Sequence, residues 1–296
     1  MADPIIEVRN LSRSYGSKKA LDDVNLRVEK GEVMGLLGAN GAGKTTLIKH
    51  ILGLLRSQEG EIRVFGLDPV EDPVGVLSRI GYLGEESDLP SWMTVKELMR
   101  YSAAFRPTWD AAYAESLRDR FELAPTNRLA NLSKGQRARA GLLAALSFQP
   151  DFLLLDEPSS GLDPIVRRDI LGAIIRTISQ EGRTVIFSSH LLAKVEQVCD
   201  RVVMLRNGRV VLNDQLDEIK RTHYQITVRL KEERLEAPAI DGTLDWQGSG
   251  CEWRALWRGE PHMLEAEVAS HGARLVGHDH ASLDEIFVAH SARGGQ

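Results

Sequence analysis

Short, almost wholly apolar runs recur along the chain at Val33–Leu37, Phe152–Leu155, Thr184–Phe187 and Val202–Leu205. Apolar runs of this length bounded by turn residues are the pattern of strands covered on both faces. Asn207-Gly208 after the last run predicts a hairpin into a further strand, Arg209–Leu212. Helical spacing takes over between runs: Leu47, Ile48, Ile51, Leu52 and Leu55 share one face of a helix beginning near Thr45. Alternation of this kind over roughly the first 220 residues predicts an α/β domain with a mostly parallel sheet.

Two stretches break the alternation. Val95 to Phe105, Asp110 to Leu123 and Lys134 to Phe148 read as helices, which places a helical block inside the α/β core at about residues 86–149. Beyond residue 222 the period becomes two: Tyr224, Ile226, Val228 and Leu230 alternate with polar residues, as do Cys251, Trp253, Ala255 and Trp257. Met263 to Ser270 reads as a helix and Arg274–Val276 as a strand, and Ser282 with Glu285 three residues on forms a capping box for a last helix. The chain is thus expected to divide into a domain at 1–222 and a small α+β accessory domain at 223–296. The tryptophans on one strand face need something to pack against, so this tail is expected to be autonomous and to assist dimerisation or regulation. His278, His280 and His290 lie close in sequence, and an H-x-H pair is compatible with a metal. A solvated polar loop before the capped helix is the simpler expectation.

Composition narrows the field. With 37 Lys+Arg against 42 Asp+Glu the net charge is −5, which argues against a protein that grips nucleic acid by bulk electrostatics. An apolar share of 43% argues against disorder. Cys199 and Cys251 have neither metal-ligand spacing nor the density of a secreted disulfide scaffold. No stretch approaches 18 consecutive apolar residues, and Met1 to Asn10 lacks the apolar core of a signal peptide, so a soluble protein of a reducing compartment is expected.

The chemistry gathers at the ends of two predicted strands. Gly38-Ala39-Asn40-Gly41-Ala42-Gly43-Lys44-Thr45 fits the phosphate-binding loop pattern G-x-x-x-x-G-K-[ST] and is followed by Thr46 in the predicted helix. Glycines let the backbone wrap closely, N–H groups and the helix N-terminus face phosphate oxygens, Lys44 reaches the β/γ phosphates and Thr45 ligates Mg²⁺. The run Phe152–Leu155 ends in Asp156-Glu157. Asp156 can hold Mg²⁺ through water, and Glu157 can polarise an attacking water. Together the two motifs point to nucleotide hydrolysis.

Leu132-Ser133-Lys134-Gly135-Gln136, roughly twenty residues before Asp156, resembles the L-S-G-G-Q signature of the ATPase domain of ATP-binding cassette (ABC) transporters, with Lys134 in place of the first glycine. Tyr15 matches the aromatic that stacks on adenine, Ser160-Gly161-Leu162-Asp163 matches the D-loop, and His190 matches the switch histidine near the γ-phosphate. The resemblance spans Ile5 to Lys220. It implies a fold with an α/β phosphate-loop core and an inserted helical subdomain. It also implies that ATP is sandwiched between two copies, each site borrowing Ser133, Gly135, Gln136 and Asp163 from its partner, in a homodimer or a heterodimer with a related subunit. Hydrolysis would drive a separately encoded transmembrane permease, with the chain peripheral on the cytoplasmic face of the membrane and no nucleic acid involved. The terminal Ser282–Phe287 segment resembles ATPase subunits of exporter-type systems.

One position departs from the family. Where it usually has a glutamine that meets Mg²⁺ and the attacking water, the matching segment places Glu85. A carboxylate there can still ligate Mg²⁺. Leu89-Pro90-Ser91-Trp92-Met93 just beyond reads either as a buried hinge or as the surface that receives the permease's coupling helix. Two other readings stay open. A soluble ABC ATPase acting on ribosomes or DNA would more often be a tandem cassette or carry coiled-coil insertions. A nucleotide-gated module that rarely turns over draws support from Glu85 and Lys134.

Overall fold

The computed structural model describes the chain except residues 1–3, 86–88, 159–161, 164–169, 171, 173, 175–182, 189–191 and 293–296. Its centre is a six-stranded sheet. The strands are β3 (Val33–Leu37), β5 (Ile80–Leu83), β6 (Phe152–Asp156), β7 (Thr184–Ser188), β8 (Arg201–Arg206) and β9 (Arg209–Gln215), in the order β5-β6-β7-β3-β8-β9. All neighbours are parallel except β8 and β9, which form the hairpin expected from Asn207-Gly208; both turn residues have positive φ, 49° and 78°.

β3, β6 and β7 are buried at every position, and their side chains sort strictly by parity. Met34, Leu36, Phe152, Leu154 and Ile186 join one core; Val33, Leu37, Leu153, Leu155, Val185 and Phe187 join the other. The first core is closed by helix α1 (Lys44–Ile51) and by an antiparallel sheet of β1 (Ile6–Tyr15), β2 (Lys18–Val28) and β4 (Glu59–Val64), in the order β2-β1-β4. The short helix α2 (Pro73–Leu77) leads into β5.

The second core takes in the helical block. It comprises α3 (Val95–Ala104), opened by a Thr94–Glu97 capping box, α4 (Ala111–Arg120), capped by Asp110, and α5 (Lys134–Leu146), opened by a Ser133–Gln136 capping box. These caps satisfy first-turn N–H groups that would otherwise be orphaned.

Beyond β8 and β9, helix α7 (Leu216–Thr222) runs into β10 (His223–Arg234) with no intervening loop; α6 (Leu192–Val198) precedes β8. β10 is the middle strand of an antiparallel sheet with β11 (Thr243–Arg258) and β12 (Ala273–His280), covered on one face by α8 (Leu264–Ser270). As the two-residue period requires, Tyr224, Ile226, Val228 and Leu230 are buried, with Trp253 and Trp257 in the same cluster.

Two observations correct the reading of the tail. His278 and His280 lie on β12 rather than in a loop; the His280 ring stands 4.7 Å from Tyr224, and its Nδ1 is 2.9 Å from the carbonyl oxygen of Lys220. Among the described residues no group of three or more His, Cys, Asp or Glu side chains is arranged to hold a metal ion. The last helix, α9 (Leu283–Ala292), opens on the expected Ser282–Glu285 box and packs between β11 of the tail sheet and the central domain. Leu283, Ile286 and Ala289 enter the second core of the central sheet. Leu283 N donates to Glu196 Oε1 on α6 at 3.1 Å, and the Arg206 guanidinium at the end of β8 donates to the carbonyl oxygen of His290.

Candidate functional site

A cavity of about 720 Å³ opens where β3 and β6 end. Its walls include Tyr15, Lys18 and Ala20, the whole loop Gly38–Thr46, the carboxylates Glu85, Asp156 and Glu157, and Phe287.

The loop is shaped by its glycines. Gly38 and Gly43 have φ of 155° and 113°, and an added Cβ would stand 2.6 Å from Leu205 O and 2.5 Å from Ala20 O respectively. No other residue fits these two places without pushing the backbone aside. No side chain caps α1, and its first turn holds no acidic residue, so the positive end of the helix and its unpaired N–H groups face the cavity. That is a built anion site. Lys44 is buried, and its ammonium donates to Gly38 O at 2.6 Å, which folds the lysine back over the loop. His50, one turn deeper on α1, places Nδ1 2.8 Å from Thr46 O; burial lowers its pKa, so it stands neutral behind the loop.

The opposite wall comes from β6. Asp156 is buried and accepts from Ser188 Oγ at 2.6 Å. Its pKa is raised, first by burial and then by the neighbouring charges of Glu157 and Glu85, against the pull of Ser188 and Lys44. Glu157 Oε1 stands 3.9 Å from Lys44 Nζ. Its backbone N–H donates to Ser188 Oγ at 3.1 Å, and its φ of 49° lies in the left-handed region that a glutamate seldom adopts. The turn after β6 thus sets the carboxylate at the cavity mouth. Among the described lining residues three carboxylates face two lysines, an excess of negative charge that a bound cation would relieve.

The remaining sequence-derived residues fall elsewhere. Tyr15 is half exposed, with the Arg13 guanidinium 5.0 Å from its ring centre. Ser133 sits at the exposed N-terminus of α5 and receives Gln136 N at 3.2 Å; neither it nor Gly135, Gln136 or Asp163 lines the cavity of its own chain. Ser160, Gly161 and His190 lie outside the described residues. Sequence reasoning missed Lys18, whose Nζ lies 3.7 Å from a Cβ built on Gly41, and Phe287. The turn after Tyr15 was a signal for the first; the second lay in the terminal Ser282–Phe287 segment already singled out, but nothing in its sequence tied it to the cavity. Cys199 plays no part: burial pushes its thiol up to about 12.

A glycine-cradled helix N-terminus, a lysine folded over it and a carboxylate pair at the end of a nearby parallel strand define a nucleoside triphosphate site of the phosphate-loop class. The ABC transporter family model matches residues 21–160. NatA of Bacillus subtilis, an ABC transporter ATP-binding protein, is 38% identical over 73% of this chain and 91% of its own length. The daunorubicin resistance ATP-binding protein DrrA3 of Streptomyces coeruleorubidus is 38% identical over 74% of this chain and 71% of its own. Similarity to the ABC transporter ATP-binding protein sll0415 of Synechocystis, at 31% identity, runs through 96% of this chain and so includes the tail. A solved ATP-binding subunit of an ABC transporter superposes with a TM-score of 0.67 at 33% identity, covering 73% of this chain and 92% of its own. The chain belongs to the ATP-binding subunits of ABC transporters.

Proposed function

We propose that the chain hydrolyses ATP as one half of a dimeric motor that drives a separate permease at the cytoplasmic face of a membrane. The observation that carries this reading is the division of the site. The phosphate loop and the carboxylates converge on one cavity, while the exposed N-terminus of α5, with Ser133, Gly135 and Gln136, lies off it. A second copy presenting that helix terminus would bring its partial positive charge to the terminal phosphate. With identical halves a homodimer suffices, and a related partner subunit would serve as well.

In this reading the loop N–H groups, Lys44 and Lys18 bind and neutralise the triphosphate, Tyr15 stacks on adenine, and Glu157 accepts a proton from the water aimed at the γ-phosphorus. Positioning and charge neutralisation supply most of the rate. Thr45, Asp156 and Glu85 would hold Mg²⁺. The raised Asp156 pKa and the clustered carboxylates fit a cation there. When bound, Mg²⁺ offsets charge on the β and γ phosphates.

A separate permease is supported by the relatives, named as transporter ATP-binding proteins, and by the described helices, none of which is long and apolar enough to cross a bilayer. The surface offered to it is the segment Leu89–Met93: Trp92 is 69% exposed, while Met93 is buried in the second core. The segment thus anchors through one side chain and presents the next. We also place the domain boundary near residue 222. Phosphate release by the purified chain, abolished by Glu157→Gln with nucleotide still bound, tests the enzyme. Recovery of a membrane protein with the wild-type chain but not with Trp92→Glu tests the docking surface.

A further inference from the structure

Phe287 is the one described residue of the cavity wall that does not come from the cassette. It stands on α9, flanked by Ile286 and Ala289 in the second core, and is itself half-buried against that core. The helix is pinned close to the loop: His290, one turn on, accepts from Arg206, and the preceding Leu205 carbonyl closes against Gly38. This fixes the side from which Phe287 arrives. In the sheet order β6-β7-β3-β8, Asp156 and Glu157 leave from one flank of β3, and α9 docks on the other.

Tyr15, Lys18 and Ala20 reach the cavity on the β8 side too, but from the first-core face of the central sheet, whereas α9 comes from the second-core face. Asp22 N donates to Gly208 O in the β8–β9 turn at 2.9 Å, and a Cβ on Gly208 would stand 2.8 Å from Ala20 O. The triphosphate chemistry therefore occupies one side of the loop, and two aromatic side chains, one half exposed and one held by a docked helix, occupy the other. An aromatic ring fixed in place before the ligand arrives loses little entropy on binding. Purine rings present a π-face that such side chains recognise.

We propose that Phe287 is a nucleobase-binding residue supplied by the tail, forming with Tyr15 the aromatic part of the site that holds the base of a bound adenine nucleotide. The inference rests on the ATP-binding reading above. It has a reciprocal consequence: if docked α9 improves nucleotide affinity, bound nucleotide must hold α9 down by the same factor.

The test is equilibrium binding of Mg-ADP to the full-length chain and to Phe287→Leu and Phe287→Tyr, with pyrophosphate measured as a competitor of ADP. Leucine keeps an apolar contact to the core but loses the ring; tyrosine keeps the ring. Phe287→Leu should weaken ADP about tenfold, Phe287→Tyr should restore it, and the pyrophosphate inhibition constant should stay the same in all three. Amide exchange in α9 should slow on adding ADP to the wild type and not to Phe287→Leu. Equal ADP affinity in wild type and leucine variant, a tyrosine variant as weak as the leucine one, or a parallel loss of pyrophosphate binding would each overturn the inference. A wild-type chain that binds no ADP would instead overturn the nucleotide reading itself.

Discussion

The central sheet and the tail sheet use opposite economies of burial. β3, β6 and β7 are buried on both faces, so each strand is locked between two cores and its end is fixed in three dimensions. The tail sheet buries one face; β12 is exposed at most of its positions, and its edge carries no comparable constellation. Reactive groups appear where a strand end cannot shift, which is why a loop after β3 and a turn after β6 can be held to hydrogen-bond precision. The tail reaches that site only by returning a helix to the better-packed region.

The sharpest test of this contrast is Glu157→Gln. Loss of a general base costs about 10²–10⁴-fold in turnover, and phosphate release should fall by that much while ADP binding and amide exchange in β10–β12 stay unchanged. A similar loss from a substitution on the tail sheet would break the distinction.

Next come paired core truncations. Ile286→Ala and Ile226→Ala remove the same side chain from fully buried positions in the two different cores. Each should cost about 2–5 kcal/mol of stability, read from denaturant midpoints. Only Ile286→Ala should also weaken nucleotide binding, because only it loosens α9. Equal effects on binding would mean that the tail acts as one block.

Glu85 probes the border between the carboxylate wall and the Leu89–Met93 segment proposed as the docking surface. In a Mg²⁺ titration of phosphate release, Glu85→Gln should keep substantial activity and shift the half-maximal concentration several-fold. Glu85→Ala should lower turnover with ADP affinity nearly intact. Superimposable curves would mean that Glu85 points away from the nucleotide.

The smallest effect is a pH dependence at the seam. His223 opens β10, with Nδ1 2.9 Å from Ile219 O, Nε2 buried without a partner, and the His290 ring 6.4 Å away. Burial and then Arg258 hold its pKa below the ordinary 6.5, while the Ile219 carbonyl, Asp214 and Glu218 pull upward. The unfolded chain therefore binds the proton more readily. Stability present above about pH 6.5 is lost as pH falls toward the folded-state value. The thermal midpoint should drop between pH 7.5 and 5.5, and His223→Gln should drop about 2–4 °C less, the remainder including the share of His50.

Much of this was legible in the sequence because it rests on local rules. The phosphate loop, the Asp156-Glu157 strand end, the Asn207-Gly208 hairpin and the Ser282–Glu285 capping box are each written within a few residues. The β2-β1-β4 sheet was not, because β1 breaks register between Val8 and Leu11, between Leu11 and Arg13 and between Arg13 and Ser14; each bulge resets the two-residue period that announces a strand. The strand assignment of His278 and His280 was hidden for another reason: an edge strand facing water shows no apolar alternation. The return of α9 was invisible too. Its apolar face declares that it must be covered, but periodicity does not say by what.

The left-handed backbone of Glu157 sets two kinds of selection against each other. A glycine at this position would adopt φ of 49° without steric penalty, relieving about 1 kcal/mol of strain. Glu157→Gly should therefore melt higher than the wild type while releasing no phosphate, and a scan for thermostability at this site would favour the inactive protein. A lower melting temperature would show that the carboxylate's contact with Lys44 outweighs the strain. Libraries of this chain sorted by folding alone will drift away from catalysis at this position, so they need a turnover screen beside the melting curve.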